Sequence, residues 1–420
     1  MENTMQTDLK DVAMKRIFFL NRFFPPDQSA TSRLVGDLAI DLVARGHEVH
    51  VITSQQLYDQ PQARLPAHEF LSGVEVHRVA TTRFGPSALP GRAIDHLSFH
   101  ASARRALLAT AQRGDIVVAM TDPPLISIVA MQAAARKGAH LVNWLQNIYP
   151  EVAVALGVPF LKGPILRALC ALRDRSLKVA SANVVLSLAM AGKILARGTP
   201  PDHIYMIPNW SDDDAISPVA PRDNPLRQQW QLENKFVVGY SGNLGRAHDC
   251  DTILAAAERL HAMTNIVFVC IGSGHLMKEL AEQVRQRGLR NFLFLPYQDE
   301  TMLKFSLGVA DVHWLSLKPA VEGLMVPSKF YAIAAAGRPI IAICSKDGEI
   351  ARRIRQHRCG EVVAPGDIEA LVKAILRFAA ESALVAAMGR KARDMLAAGF
   401  SRRQALQKWH NALQSIGQTR

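Results

Sequence analysis

The sequence predicts an α/β protein made of two doubly wound domains. Short apolar runs alternate with amphipathic helical patterns, first between residues 17 and 200 and again between residues 236 and 400. A polar stretch rich in proline separates the two series. At 420 residues the chain is too long for one typical domain and fits two.

The first series begins with a βαβ unit. An apolar run predicts a buried strand, and a helical pattern over residues 32–45, closed by Gly46, leads into the next strand. The predicted strands of this domain are residues 17–20, 49–53, 115–119 and 140–144. We expect a flexible leader at residues 1–13 and a domain that spans residues 14–200.

The second series follows a predicted linker at residues 201–235, which contains Pro218, Pro221 and Pro225. Strand patterns then resume and alternate with helices. The predicted strands are residues 236–241, 266–271, 292–295, 312–315 and 340–343. This alternation predicts a second doubly wound domain over residues 236–400.

Composition limits which classes of partner and which cell compartment fit the protein. The net charge of +12 favours phosphorylated ligands or an anionic membrane surface. Nucleic acid is not expected, because the basic residues are dispersed and only 6% of residues are aromatic. The five cysteines form no Cys-x-x-Cys pair, which indicates free thiols in a reducing cytosol. We therefore expect a cytoplasmic protein that is peripheral to the inner face of the cell membrane.

One segment supports that membrane expectation. Residues 152–178 interleave leucine, isoleucine and phenylalanine with lysine and arginine. A basic helix with an apolar face can lie on anionic lipid. The same pattern also fits a helix packed on its own core, and the sequence leaves both interpretations open.

The most informative stretch is residues 326–343. Pro327 suits the first turn of a helix, Lys329 would lie in the same turn, and Gly337 can end the helix before a buried strand. A helix N-terminus beside Ser328 and a lysine predicts a site for a diphosphate. An ordinary loop–helix–strand connection would give the same pattern.

Two glycine-containing loops follow predicted strands. Gly242 and Asn243 come directly after one strand, and Gly272 and Gly274 come after the next. Open α/β sheets bind ligands at the carboxyl ends of their strands, where glycine lets the backbone approach a phosphate. Tyr297 follows a third strand and could stack on a nucleotide base. Each loop could also be a plain strand-to-helix turn.

Eight motifs along the chain resemble the GT-B glycosyltransferases of family 4, in particular the bacterial colanic-acid and exopolysaccharide type. They lie at residues 25–26, 33–34, 38–49, 122–125, 146–151, 207–210, 239–245 and 326–339. The resemblance implies two Rossmann-like domains that face each other across a cleft. It also implies that residues 401–420 form a helix returning to the first domain. The activity it implies is retaining transfer from a nucleotide-diphosphate sugar to a polyprenyl-diphosphate-linked saccharide.

The resemblance assigns roles to individual residues. It implies Lys329 and Glu322 as catalytic residues, with Glu322 holding hydroxyls of the donor sugar. The resemblance and the loop pattern together predict a donor-diphosphate site, a base-side site and an acceptor side. The diphosphate site comprises Gly242, Asn243, Arg246, Ser328 and Lys329. The base-side site comprises Gly272, Gly274 and Tyr297, and the acceptor side comprises Ser29, Thr31 and Asn147.

The chain departs from the family pattern at several positions, including Ser29 and Ala30, where relatives often carry paired glycines. Asn243 and His248 stand where many members carry an arginine and a lysine, so that Arg246 would have to compensate. Ala332 occupies the position of a second glutamate. Asn147 replaces an aspartate and cannot accept a proton. Possible general bases elsewhere are Asp122 and Glu151.

No cofactor and no obligate metal are expected. The Asp-x-Asp spacing at residues 212–214 falls in the linker and reads as a solvated turn, and no cluster of His and Cys ligands stands out. Two other functions fit the same fold: a nucleotide-sugar epimerase, or a non-catalytic nucleotide-sugar-binding subunit. A dinucleotide-dependent oxidoreductase is disfavoured because no Gly-x-Gly-x-x-Gly follows the first strand.

Overall fold

The first domain is built on an eight-stranded sheet. The computed structural model describes residues 14–85 and 89–416, so the predicted leader at residues 1–13 lies outside the described residues. The strands are β1 (Arg16–Leu20), β2 (Glu48–Ser54), β3 (His68–Leu71), β4 (Val74–Val79), β5 (Ile116–Ala119), β6 (His140–Leu145), β7 (Ala182–Val185) and β8 (Ile204–Met206). Their order is β3-β4-β2-β1-β5-β6-β7-β8, and only β3 and β4 pair in the antiparallel sense.

Helices cover both faces of this sheet. They are α1 (Ala30–Ala44), α2 (Leu89–Thr110), α3 (Ile126–Lys137), α4 (Glu151–Ala155), α5 (Gly163–Val179) and α6 (Leu188–Leu195). Residues 17–20 of β1 are fully buried, as are all of β5 and β7. Burial on both faces explains why the central strands are continuous apolar runs.

The second domain is built on a six-stranded, all-parallel sheet. Its strands are β9 (Phe236–Ser241), β10 (Ile266–Ile271), β11 (Phe292–Leu295), β12 (Val312–Ser316), β13 (Ile340–Ile343) and β14 (Gly360–Val363), in the order β11-β10-β9-β12-β13-β14. Its helices are α7 (Pro225–Gln229), α8 (Asp251–Arg259), α9 (His275–Gln286), α10 (Leu303–Gly308), α11 (Lys329–Ala335), α12 (Glu349–His357), α13 (Ile368–Ala380) and α14 (Ser382–Gly399). The predicted fold of two doubly wound α/β domains is thereby confirmed.

The last helix, α15 (Arg402–Ser415), lies on the first domain. Trp409 is completely buried there, with its ring 4.5 Å from that of Trp144. The ammonium of Lys15 donates to the carbonyls of Leu413, Gln414 and Ile416 at 2.7–3.1 Å. A cation at the carbonyl end of a helix is favourable because of the helix dipole and its unpaired carbonyls.

The structure departs from the predicted elements in the first domain. The β3–β4 hairpin and β7 were not predicted, and β8 lies inside the predicted linker yet pairs with β7, so the first sheet extends further along the chain. The predicted basic helix is two helices, α4 and α5. Gly157 and Phe160 both have positive φ between them, which no continuous helix allows. No helix among the described residues is long and apolar enough to cross a membrane.

Candidate active site between the two domains

The candidate site lies where the carboxyl ends of the two sheets face each other. The loop after β6 touches the loop after β12: the amide of Ile148 donates to the carbonyl of Leu324 at 2.8 Å, and Asn147 pairs with Met325 in an isolated bridge. In a second contact between the domains, the side-chain amide of Asn243 donates to the hydroxyl of Tyr58 at 3.5 Å. The two domains therefore enclose a cleft between these loops.

Lys329 is the central cation of the second domain's side of the cleft. Its side chain is largely buried, and its ammonium lies 5.4 Å from the centre of the Tyr240 ring. Burial lowers the pKa of the ammonium to about 8, and no charged neighbour within residues 14–85 and 89–416 offsets that fall. An ammonium without a counter-ion in a cleft can bind an anion, and the anion would restore its pKa.

The backbone at Gly242 makes room for this lysine. Gly242 has a φ of +121°, and a Cβ atom built there would lie 2.7 Å from Cε of Lys329. A larger residue would be strained and would displace the lysine. Gly242 and Lys329, predicted from separate motifs, are thus in direct contact.

The two glycine loops pack on each other. A Cβ at Gly272 would lie 2.4 Å from the Gly242 carbonyl oxygen, and one at Gly274 would lie 2.5 Å from the Asn243 side chain. The amide of Gly242 donates to the carbonyl of Ile271 at 2.8 Å. This packing explains why glycine stands at 272 and 274, and it brings the predicted base-side and diphosphate loops together.

The polar residues on the second domain's side of the cleft divide into buried and exposed ones. The buried His248 imidazole lies 2.7 Å from the carbonyl of Ser316, and burial lowers its pKa to about 3, so it supplies no positive charge at neutral pH. Arg246 and Asn243 are exposed on the same loop. Tyr297, at the end of β11, is 44% exposed. Lys329 and Arg246 are thus the cations predicted for the diphosphate, and Lys318 adds a further positive charge near His248.

The start of α11 differs from its prediction. The helix begins at Lys329, with Ser328 at its N-cap, so Pro327 precedes the helix instead of occupying its first turn. The Ser328 side chain makes no capping hydrogen bond. Because α11 is only seven residues long, the anion-binding capacity of the site rests on the Lys329 side chain and not on a helix dipole.

Glu322 lies at the edge of the cleft but also has a structural contact. Its Oε1 accepts a hydrogen bond from the amide of Glu349 at 3.0 Å, at the start of α12. Its carboxylate packs against Gly348, where a Cβ would come within 2.7 Å. Burial raises the pKa of Glu322, while the amide of Glu349 opposes that rise. One carboxylate oxygen thus caps a helix, a role that the sequence did not predict.

The first domain contributes a pocket of ≈ 160 Å³ at the carboxyl ends of β1, β2 and β5. Thr31 and Asn147, predicted for the acceptor side, both line it, whereas Ser29 occupies the N-cap position of α1 without a side-chain capping hydrogen bond and is not part of the lining. Among the lining residues that the sequence did not predict are three with basic side chains. These are Arg22, Arg92 and His96. Arg92 and His96 lie one turn apart on α2, and the tertiary fold brings them to Arg22, which follows β1.

The two possible general bases are in different environments. Asp122 lines the pocket, and burial raises the pKa of its carboxyl group, although Arg22 and Arg92 oppose the rise. Glu151 instead forms a two-pronged ion pair with Arg173, at 2.6 and 2.8 Å. This pairing lowers the pKa of Glu151 and occupies both carboxylate oxygens. Glu151 is therefore a structural residue, which corrects the suggestion that it is a general base.

Comparison with known proteins identifies the family. The model of the glycosyl transferase 4-like domain matches residues 30–210, and that of glycosyl transferases group 1 matches residues 223–395. The chain belongs to glycosyltransferase family 4. A putative colanic acid biosynthesis glycosyl transferase, WcaI of Escherichia coli K12, is 28% identical over 368 residues, covering 84% of this chain and 89% of the relative. The probable glycosyltransferase WbjE of Pseudomonas aeruginosa is 30% identical over 272 residues, covering 64% and 67%.

A solved structure confirms the GT-B fold of this glycosyltransferase. Anabaena HepE, in complex with UDP and glucose, superposes with a TM-score of 0.71 at 18% identity, covering 96% of this chain and 100% of HepE. The similarity shows the fold alone. With both domain models matched, the protein is an enzyme of the glycosyltransferase class, and the epimerase and non-catalytic alternatives are not favoured.

Proposed function

We propose that this glycosyltransferase takes its sugar from a nucleotide-diphosphate donor bound to the second domain. The observation that carries the proposal is the Lys329 ammonium, which has no counter-ion among the described residues and lies against the Gly242 loop. A diphosphate would supply the missing negative charge. The structure of HepE in complex with UDP and glucose supports this class of donor.

Lys329 would act on the leaving group. As the bond between the sugar and the diphosphate breaks, negative charge grows on the leaving oxygen. A fixed ammonium stabilises that charge, and it does so more strongly in a cleft than in water. Arg246, Asn243 and Ser328 would add contacts to the diphosphate, while Gly272, Gly274 and Tyr297 would face the nucleotide.

Glu322 and the first domain would hold the two sugars. Glu322 would accept a hydrogen bond from a donor-sugar hydroxyl through Oε2, since Oε1 is the oxygen that binds the Glu349 amide. On the acceptor side, Thr31 and Asn147 line the pocket. In a retaining reaction the departing phosphate oxygen can accept the proton of the acceptor hydroxyl. This route would need no side-chain base, which suits a site with asparagine at position 147.

The acceptor proposed here is a lipid-linked saccharide in cell-surface or exopolysaccharide biosynthesis. Two observations support it: the relative named for colanic acid biosynthesis, and the surface between α4 and α5. On that surface Phe160 is 85% exposed and Ile165 is 59% exposed, beside the exposed Lys162 and Arg167. Exposed apolar side chains among cations suit an anionic membrane. The enzyme would then work at the inner face of the cell membrane.

Donor binding tests the proposal most simply. Saturation-transfer NMR against UDP-, GDP- and dTDP-sugars would detect binding, and release of nucleoside diphosphate would be followed in the same samples. We expect one nucleotide class to bind and to be turned over slowly, faster with membrane extract as acceptor. Lys329→Met should lose both signals, and Lys373→Met, which changes an exposed lysine on α13, should keep them. Absence of binding to all three classes would refute the donor site.

Membrane binding needs its own test. Flotation with vesicles that contain anionic lipid should carry the wild-type protein, and Phe160→Asp should reduce the floated fraction severalfold. Phe70 is a matched control, because it is 65% exposed on β3 at the far edge of the first sheet. Equal flotation of Phe160→Asp and Phe70→Asp would contradict a specific lipid surface at Phe160.

A further inference from the structure

We propose that His50, Glu75 and His77 form a binding site for a zinc-type divalent cation, separate from the cleft. The three side chains come from two neighbouring strands: His50 lies on β2 opposite Glu75 on β4, and His77 lies two residues further along β4. Side chains at i and i+2 of a strand share one face of the sheet. The parallel register therefore brings the three groups together.

The distances among the candidate ligands fit tetrahedral coordination. Nδ1 of His50 lies 3.4 Å from Nε2 of His77 and 3.2 Å from Oε2 of Glu75, and Nε2 of His77 lies 3.2 Å from Oε1 of Glu75. Zinc binds imidazole nitrogen at roughly 2.0–2.1 Å, which places tetrahedral ligands about 3.3–3.4 Å apart. The three ligand groups thus need only small shifts to bind one ion.

Neighbouring residues orient the first ligand. Nε2–H of His50 donates to Oε1 of Glu48 at 2.8 Å, which leaves the Nδ1 lone pair facing His77 and Glu75. The His50 ring also stacks on Phe18, with 4.5 Å between centroids and 9° between planes. A carboxylate behind a histidine is the usual support for a zinc ligand, because it fixes the tautomer and the ring orientation.

A fourth ligand is close by. His68 on β3 places Nε2 2.9 Å from Oε1 of Glu75, and its side chain is 50% exposed. Rotation of this exposed ring would bring it to the open position, which water fills otherwise. Two or three imidazoles with one carboxylate suit zinc, whereas magnesium and calcium prefer oxygen ligands alone.

The position of the cluster indicates a structural role. His50 and Glu75 lie near the amino ends of their strands, opposite to the edge that faces the cleft. The bound ion would tie β2 to the β3–β4 hairpin, which forms the edge of the sheet. Because the ion would lie away from the cleft, it would take no part in the transfer reaction, for which no metal is expected.

The test measures metal binding and not activity. Full-length protein stripped with EDTA would be dialysed against zinc chloride at pH 7.5 and analysed for bound metal. We expect one zinc per chain, reduced at least tenfold in occupancy by His77→Gln and by Glu75→Gln. The control is His275→Gln, because His275 is likewise a histidine paired with a glutamate, at 3.1 Å, but lies outside the cluster. Equal zinc content in wild type and both cluster variants would overturn the proposal.

A second readout keeps the proposal testable if a variant folds poorly. Cobalt substituted into the wild-type protein should give the strong visible absorption of a tetrahedral site with nitrogen ligands. Zinc at one hundred times its Kd should also raise the melting temperature of the wild type by about 5 °C. No stoichiometric binding of either ion to the wild type would show that the cluster is only a hydrogen-bonded network of histidine and glutamate.

Discussion

Replacing Lys329 by methionine should lower activity and raise stability together. Methionine keeps most of the apolar stem that crosses Gly242 but removes the ammonium. Burial lowers the pKa of Lys329 from 10.5 to about 8, and each unit corresponds to roughly 1.4 kcal/mol. The buried charge therefore costs up to about 3 kcal/mol at pH 7. Because part of the side chain stays exposed, we expect Lys329→Met to gain about 1–3 kcal/mol in free energy of unfolding.

The same substitution should reduce kcat by about 10²–10³, the range for loss of one group that stabilises developing charge. The assays are denaturant unfolding without nucleotide and release of nucleoside diphosphate from the donor. Lys373→Met should change neither quantity, since Lys373 is exposed on α13. A variant that is destabilised, or one that keeps near-normal turnover, would refute the reasoning.

Three further predictions concern the glycine beside Lys329, the pH dependence of the lysine, and the last helix. Gly242→Ala forces a side chain onto a φ of +121° and against Cε of Lys329, so it should cost about 1–3 kcal/mol and weaken donor binding. Gly245→Ala, with no atom within 4 Å of the new Cβ and no positive φ, should be nearly neutral in the same unfolding and NMR assays. Donor affinity measured by calorimetry should be full below pH 8 and fall above it, as the free Lys329 ammonium loses its proton. The stability of the wild type should instead rise between pH 8 and 10.5, because unfolding of the wild type takes up a proton in that range. The stability advantage of Lys329→Met over the wild type should therefore shrink there. Trp409→Ala should cost about 3–5 kcal/mol in thermal unfolding, because it empties the fully buried site of α15 on the first domain.

The sequence predicts the central strands well because burial on both faces leaves a direct compositional signal. Apolar runs such as residues 17–20 and 340–343 have few other structural explanations. Edge elements carry a weaker signal. Strand β3 is half exposed, and β8 follows Pro200 and Pro201 in a stretch that reads as a linker. Their pairing depends on tertiary contacts that composition does not encode.

The candidate site was only partly predictable, because its local motifs are visible in the sequence and its tertiary contacts are not. Gly242 and Lys329 each sit in a local motif, but their direct contact follows from the neighbouring positions of β9 and β12. The capping role of Glu322 depends on a residue 27 positions away. The cluster of His50, Glu75 and His77 requires β4, which was not predicted, in register with β2. Contacts of this kind become visible only once sheet order and register are known.

The pKa of Lys329, measured with and without nucleoside diphosphate, tests the central claim most directly. Lysine labelled with ¹³C at Cε and ¹⁵N at Nζ would be titrated by NMR, with the Lys329 signal assigned by its loss in Lys329→Met. We predict a pKa of about 8 in the free enzyme and a rise of at least one unit when the diphosphate of the donor's nucleotide class binds. A pKa that stays the same on saturation with the diphosphate would contradict the assignment of Lys329 to the donor site.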